Sequence, residues 1–320
     1  MLLLFAVGLW GPKAILHEAL ALQSHLAMLL REEGLVAENS PADATDWDMW
    51  IRLECATRTK LIAYCFFNLC SVAYNMPPLL LTSEVNLFLP HPSQLWRADT
   101  AWQWQEARQS IPVLRMTVHE AVGRLFGRGP QIPPHISSLG NYVLTHALLQ
   151  HIYLLRQTTI SPAMPFDPQR QIQGGIRPED VEDVTHAVRS WQMTFEQGHQ
   201  IRATAAQQAG FGADAFPGGP IAFNAAALIK LAYIRLYADM TPSRGLEMRD
   251  HIVVATALAD SPLLVRSARV NSAVVQAVHA LSVLVKTGVS YIARTKSSEW
   301  SIQHSRKLAP FSLEQAALFP

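Results

Sequence analysis

Cysteine is scarce in this chain: Cys55, Cys65 and Cys70 are the only three in 320 residues. An odd count within one stretch gives no disulfide framework and reads as reduced thiols in an intracellular protein. No CxxC pair and no HxxxH partner occur, so the short fixed ligand spacing of a zinc module is missing, and Cys65 and Cys70 read as buried structural residues. Charge is sparse as well. Only 16% of residues are charged, and 26 basic residues against 25 acidic ones leave a net charge of +1. Such a balance exerts no global pull towards nucleic acid or a membrane surface. No G-x-S-x-G elbow is present, and the glycines at Gly210, Gly212, Gly218 and Gly219 lack the lysine and preceding strand of a phosphate loop. The N-terminal apolar run from Met1 to Trp10 has no basic flank or small-residue cleavage site, so it reads as a core helix rather than a signal peptide. The longest uncharged stretch, Leu61 to Ser83, is interrupted by Asn68, Ser71, Asn75 and Pro77-Pro78, which favours a buried helix over a membrane span and leads to the expectation of a soluble protein.

What is present is hydrophobic mass. At 49% apolar residues the chain can bury an extensive core. Periodicity makes it helical. From Pro12 to Gly34, Ile15, Ala19, Leu22, Leu26 and Leu29 share a stripe, with His17, Glu18 and Gln23 opposite. Thr45 is placed to cap a helix running to about Asn75, with Asp46 and Asp48 in its positive end. Glu54 and Arg58 lie one turn apart on it, ready to pair on its surface or to reach a neighbouring helix. Pro77-Pro78 forces an irregular segment over Met76 to Pro92, pinned by its leucines. Helices are expected again at Trp102 to Gln109, Val113 to Phe126 and Tyr142 to Arg156, the last with Leu144, Leu148 and Ile152 on one face.

Pro162, Pro165, Pro168 and Gly174-Gly175 mark a connector. Pro178 restarts a helix with Val181, Val184, Val188, Trp191 and Phe195 at helical spacing. Gly210 to Gly219 reads as a loop. Ala222 to Met240 follows with Phe223, Ala227, Leu231 and Ile234 inward, then Asp250 to Ala259, and then Leu263 to Lys286 with Val270, Val274, Val278, Leu281 and Val285 on a stripe. No strand-like alternation between hairpin turns and no solenoid repeat stand out. The expectation is an all-α, irregular multi-helical array in two packed halves, with no sheet of note. Residues 1–158 form the first half, 159–176 the flexible connector, 177–305 the second half and 306–320 a divergent tail.

Several residue sets invite a chemical reading. Asp180 and Asp183, in the acidic start Glu179-Asp180-Val181-Glu182-Asp183, share a helical face and could hold magnesium for a diphosphate, as in all-α isoprenoid synthases. Acids after Pro178 are also what a helix N-terminus favours, and no second acidic motif follows. His146 and His151 are five residues apart and point to different faces, against the three or four a metal pair needs. Trp47, Trp50, Trp96, Trp102 and Trp104 could line a ligand pocket or fill a core. Arg294, Lys296, Arg306 and Lys307 are sparse and read as solvated surface.

The order of motifs carries more. Trp47, Trp50, Glu54 and Arg58 on one helix precede Pro77-Pro78-Leu79-Leu80, Ser83-Glu84, Leu87, Leu89-Pro90 and Leu95-Trp96. Gly219-Pro220, Phe223-Asn224, Leu228, Leu231-Ala232-Tyr233-Ile234-Arg235-Leu236 and Trp300-Ser301-Ile302-Gln303-His304 come later. Together they resemble the regulatory domain, or middle homology region, of fungal zinc-finger transcription factors, over most of residues 2 to 304 and especially the subgroup with paired Cys/His fingers. The resemblance implies a nuclear, non-enzymatic protein-interaction domain with no catalytic, cofactor-binding or metal-ligating residues of its own. It also implies a possible small-molecule effector, partners such as the transcriptional machinery or a full-length relative, homo- or heterodimers, and no membrane association. Zinc and DNA contact would belong to a separate module that these residues lack. Because the chain starts inside the first family helix and departs from the pattern after Ser305, the expectation is a truncated or mis-spliced product. A standalone helical module that dimerises is the alternative, as is the isoprenoid-type magnesium enzyme.

Overall fold

The computed structural model describes residues 1–2, 4, 13–74, 76–127, 129–158, 176–208, 218–237, 251–259 and 268–287. Within them the chain is all-α and has no sheet. The helices are α1 (Lys13–Glu32), α2 (Trp47–Tyr74), α3 (Ser93–Trp96), α4 (Ala101–Ser110), α5 (Val118–Phe126), α6 (Ser138–Thr158), α7 (Pro178–Gln208), α8 (Gly219–Tyr237), α9 (His251–Ala259) and α10 (Ala268–Thr287). The connector, the loop after α7 and the Trp300 to His304 motif lie outside the described residues, apart from Ile176 and Gly218-Gly219 at their edges.

One apolar core draws on both sides of the 159–176 stretch. Leu61, Tyr64 and Phe67 of α2, Val143, Leu144 and Leu148 of α6, Val184, Val188 and Trp191 of α7, and Leu228 and Leu231 of α8 belong to the same buried cluster. α8 packs against both α6 and α10. The five expected inward residues of α7 are all buried, as are Leu144, Leu148 and Ile152 of α6. α7 also meets the loop before α6 closely: a Cβ on Gly198 would sit 2.2 Å from the Pro134 carbonyl oxygen, so only glycine fits there.

Several faces and ends differ from the sequence reading. α1 is rotated by about one residue, because Leu16, Ala19, Gln23, Leu26, Ala27 and Leu30 are buried whereas Leu22 and Leu29 are half-buried. Both sets have helical spacing, and the rotated set also gathers Leu16 and Leu30. α2 is capped by Asp46 rather than Thr45: the Met49 amide donates to Asp46 Oδ1 at 2.7 Å. α5 starts at Val118, five residues later than expected. Thr117 and Glu120 close a capping box there, each accepting from the other's backbone N–H, so Val113 to Thr117 stays outside the helix. In α8, Phe223 and Ala227 are half-buried while Ala222, Asn224 and Ala225 are buried. Of the expected stripe of α10, Val270 and Val274 are half-buried, and the side chains of Leu281 and Val285 lie outside the described residues. Ala273, Ala277 and Ala280 are buried and Val278 is 57% exposed, because alanines allow the close backbone approach that α10 makes to Ile234 of α8.

The Met76 to Pro92 segment is irregular, as expected, and carries a 3-10 turn at Thr82–Glu84. Leu80, Leu87 and Leu89 are buried. Isolated bridges from Asn86 to Val36 and from Phe88 to Thr117 hold its backbone without building a strand.

Candidate functional site

The two halves of the first motif meet in space. Glu54 of α2 is fully buried, and its Oε1 accepts from Arg58 Nε at 2.7 Å and from the His91 backbone N–H at 2.9 Å. Oε2 lies 3.0 Å from His91 Nδ1. Arg58 also donates to the His91 carbonyl at 2.8 Å, and its guanidinium stacks 4.3 Å from the Trp96 ring centroid. Burial alone would raise the Glu54 carboxyl, but the His91 hydrogen bond and the Arg58 charge outweigh it and hold it below the usual carboxylate range. The pair is therefore not a surface pair. It clamps the chain at Pro90-His91-Pro92 onto α2. His91 has no signal in the sequence, since it sits 37 residues from Glu54 in an extended segment.

Around this clamp the tryptophans form a second, smaller cluster. Trp50 is buried and tilts against Trp104 (centroids 5.8 Å apart), His91 (6.0 Å) and Trp96 (6.5 Å). Ala44 and Leu95 complete the buried set, with Trp47 half-buried at its edge. Arg108 of α4 lies 4.9 Å from the Trp104 ring and donates to the carbonyls of Ala44 (2.7 Å) and Ala42 (2.8 Å). Trp102, grouped with these residues on sequence, instead faces solvent at 69% exposure.

The leucine-rich segment is held by a second polar network. Gln150 of α6 accepts from the Thr82 backbone N–H at 2.6 Å and from its hydroxyl at 2.8 Å, while its amide donates to Asn68 Oδ1 (2.8 Å) and the Leu80 carbonyl (2.9 Å). Tyr64 Oη shares a 2.7 Å hydrogen bond with Thr82 Oγ1. Glu84 accepts from the Leu81 amide and pairs with Arg31 of α1 at 2.7 Å. Glu54, Arg58 and Glu84 of the motif thus each have a structural partner beyond their own turn.

The later motif docks α8. Arg235 donates to the Val72 carbonyl at the end of α2 at 2.9 Å, and Arg156 of α6 donates through Nε to the Arg235 carbonyl at 2.8 Å. Burial, and then the nearby Arg156 charge, lower the Arg235 guanidinium to about 10. Lys230, 9% exposed, is lowered to about 8 by burial. Gly218 and Gly219 take positive φ of 98° and 71°, which glycine alone adopts readily, and Ser138 donates to the Gly218 carbonyl at 2.9 Å.

The chemical readings of the sequence land elsewhere. Asp180 receives Arg177 at 2.8 Å, so one oxygen pair of the Asp180 and Asp183 set serves the start of α7. His146 is buried edge-on to Tyr142 and His151 is exposed beside Phe126, on different faces as the spacing requires. Among the described residues no group of three or more His, Cys, Asp or Glu side chains comes together to hold a metal ion. Cys65 and Cys70 are buried, and burial pushes the Cys65 thiol well up. No helix among the described residues is long and apolar enough to cross a membrane. Arg294, Lys296, Arg306 and Lys307 lie outside the described residues.

Fold and site define an all-α domain whose signature residues bind one another. Residues 239–309 match the family model of the fungal transcription factor C-terminal domain, a span that includes α9 and α10. The match supports a fungal transcription factor regulatory domain, the class that the motifs of α2, the leucine-rich segment and α8 resemble. No curated protein and no solved structure matches the chain.

Proposed function

We propose that the chain is the regulatory domain of a nuclear transcription factor that changes transcriptional output through protein contacts, with an effector as a further input. DNA recognition then belongs to a zinc module outside these 320 residues. The observation that carries this reading is the family match over residues 239–309. The near-neutral charge is consistent with it, since phosphate-dominated DNA binding needs a concentrated basic face. No catalyst is invoked, because Glu54, Arg58 and Glu84 of the motif, with Gln150 of α6, are spent on structural hydrogen bonds.

The test is a fusion of the full chain to a heterologous DNA-binding module in a fungal reporter strain. Output should change severalfold, in either direction, relative to the module alone. The purified chain alone should not shift a promoter fragment. A reporter that ignores the fusion, or a sequence-specific shift by the isolated chain, overturns the proposal.

A further inference from the structure

Arg202 of α7 is half-buried, and its Nε and Nη2 are both enclosed with no hydrogen-bond partner among the described residues. These two atoms form one edge of a rigid planar fork, so they face the same space by construction. Elsewhere in the chain the same edge is closed. Arg31 sets it on the Glu84 carboxylate, Arg177 on Asp180 and Arg156 on the Arg235 carbonyl. A buried charged donor left unmet is costly, so two on one fork point to a missing acceptor.

The local structure seats the guanidinium and supplies no counterion. Gly198, one turn earlier on α7, makes room for it, since a Cβ there would lie 3.3 Å from Nη1. At the other end a Cβ on Gly218 would lie 3.3 Å from Nε and 3.0 Å from Ser138 Oγ, so Nε sits where α6 and α8 begin. Neither helix carries an acid in its first turn, and Ser138 gives its proton to the Gly218 carbonyl. Burial lowers the Arg202 guanidinium from its ordinary value, and no carboxylate among the described residues offsets it. A guanidinium stays charged near neutral pH all the same. Helix N-termini are positive ends, so they disfavour an unpaired cation and favour an anion placed against it.

We propose that the Nε–Nη2 edge of Arg202 binds a small oxyanion, a carboxylate or a phosphate, where α7 meets the starts of α6 and α8. Both anions present paired oxygens that match the fork. The anion is small because both nitrogens are shielded from bulk solvent, while Nη1, outside the enclosed pair, marks the open side. The site's use as an effector seat rests on the regulatory reading above. The binding itself does not.

The experiment titrates the purified full chain with sodium acetate and, separately, with sodium phosphate at constant ionic strength, with sodium chloride as the control. Heat of binding is read together with the Nε–H signals of 15N-labelled arginine. The Arg202 signal is assigned in the wild type through its own backbone, so no variant has to fold for the test to decide. A saturable shift of that signal, following the same isotherm as the heat, is expected. A response to acetate alone assigns a carboxylate, to phosphate alone a phosphate, and to both a site for either; each supports the proposal. Arg202→Lys keeps the charge and loses the fork, and should bind at least about tenfold more weakly. An Arg202 signal that neither anion moves, one that chloride moves equally, or unchanged binding in a folded Arg202→Lys overturns it. Because binding is read without transcription, its failure is distinguishable from failure of the regulatory reading.

Discussion

At the residue scale, Glu54 carries the most consequence per atom. Its carboxylate joins Arg58, the His91 ring and the His91 backbone, so removing its charge leaves Arg58 buried without a counterion. Glu54→Gln should cost about 3 kcal/mol in urea unfolding at about pH 7. The sign of its pH dependence follows from the lowered folded-state pKa. The contribution is fully present above the ordinary carboxyl range and is lost as pH falls below that range through the lower folded value. The stability gap between wild type and Glu54→Gln should therefore close on acidification. A gap that persists unchanged at about pH 2 would mean the carboxylate is not the group that matters. Trp50→Ala is the apolar counterpart. The ring is 2% exposed at the centre of the small cluster, and its loss should cost about 3 to 5 kcal/mol, read as a fall in thermal midpoint. An unchanged midpoint would place the ring outside the folding core.

At the scale of elements, α10 separates what a pattern shows from what packing selects. Its valines have the stronger hydrophobic signal, yet its alanines face α8, because distance between backbones and not side-chain hydrophobicity decides which stripe docks. Ala277→Leu should therefore overpack the α8–α10 contact and cost about 1 to 3 kcal/mol. Val278→Ala on the exposed side should stay within about 0.5 kcal/mol. Equal effects in chemical denaturation would restore the valine stripe as the buried one. The same distinction explains which parts of the fold could be read from sequence. α7 was legible because Val181, Val184, Val188, Trp191 and Phe195 offer one face and no competitor. α1 offered two overlapping stripes, and the tertiary neighbours chose the one containing Gln23. The start of α5 was legible only to a reader who weighed Thr117 with Glu120 as a box against the apolar pull of Val113. At the site, Glu54 and Arg58 announce each other by their one-turn spacing. His91 cannot be paired with them from sequence, because the contact depends on where an irregular segment folds back.

At the scale of the whole molecule, the unusual feature is positive charge kept inside the bundle. Lys230 and Arg235 both lie on α8, the helix that joins α6 to α10, and Arg156 faces it from α6. Arg156 and Arg235 both donate to backbone carbonyls, and so fasten helices end to side. Lys230 shows the cost. Its folded pKa of about 8 lies below the ordinary lysine value of 10.5, so between these values the unfolded chain binds more protons than the folded one. Stability from this group accordingly rises with pH across that window, and below it the folded state bears the full penalty of a buried ammonium. Lys230→Met, which keeps the stem and removes the charge, should raise the thermal midpoint at about pH 7. The gain should shrink as the pH approaches about 10, where the wild-type amine is already neutral in the fold. A variant less stable than wild type at neutral pH would show that the ammonium is held by a partner that offsets its burial, and would make α8 a place where the domain binds an acidic group rather than tolerates a buried base.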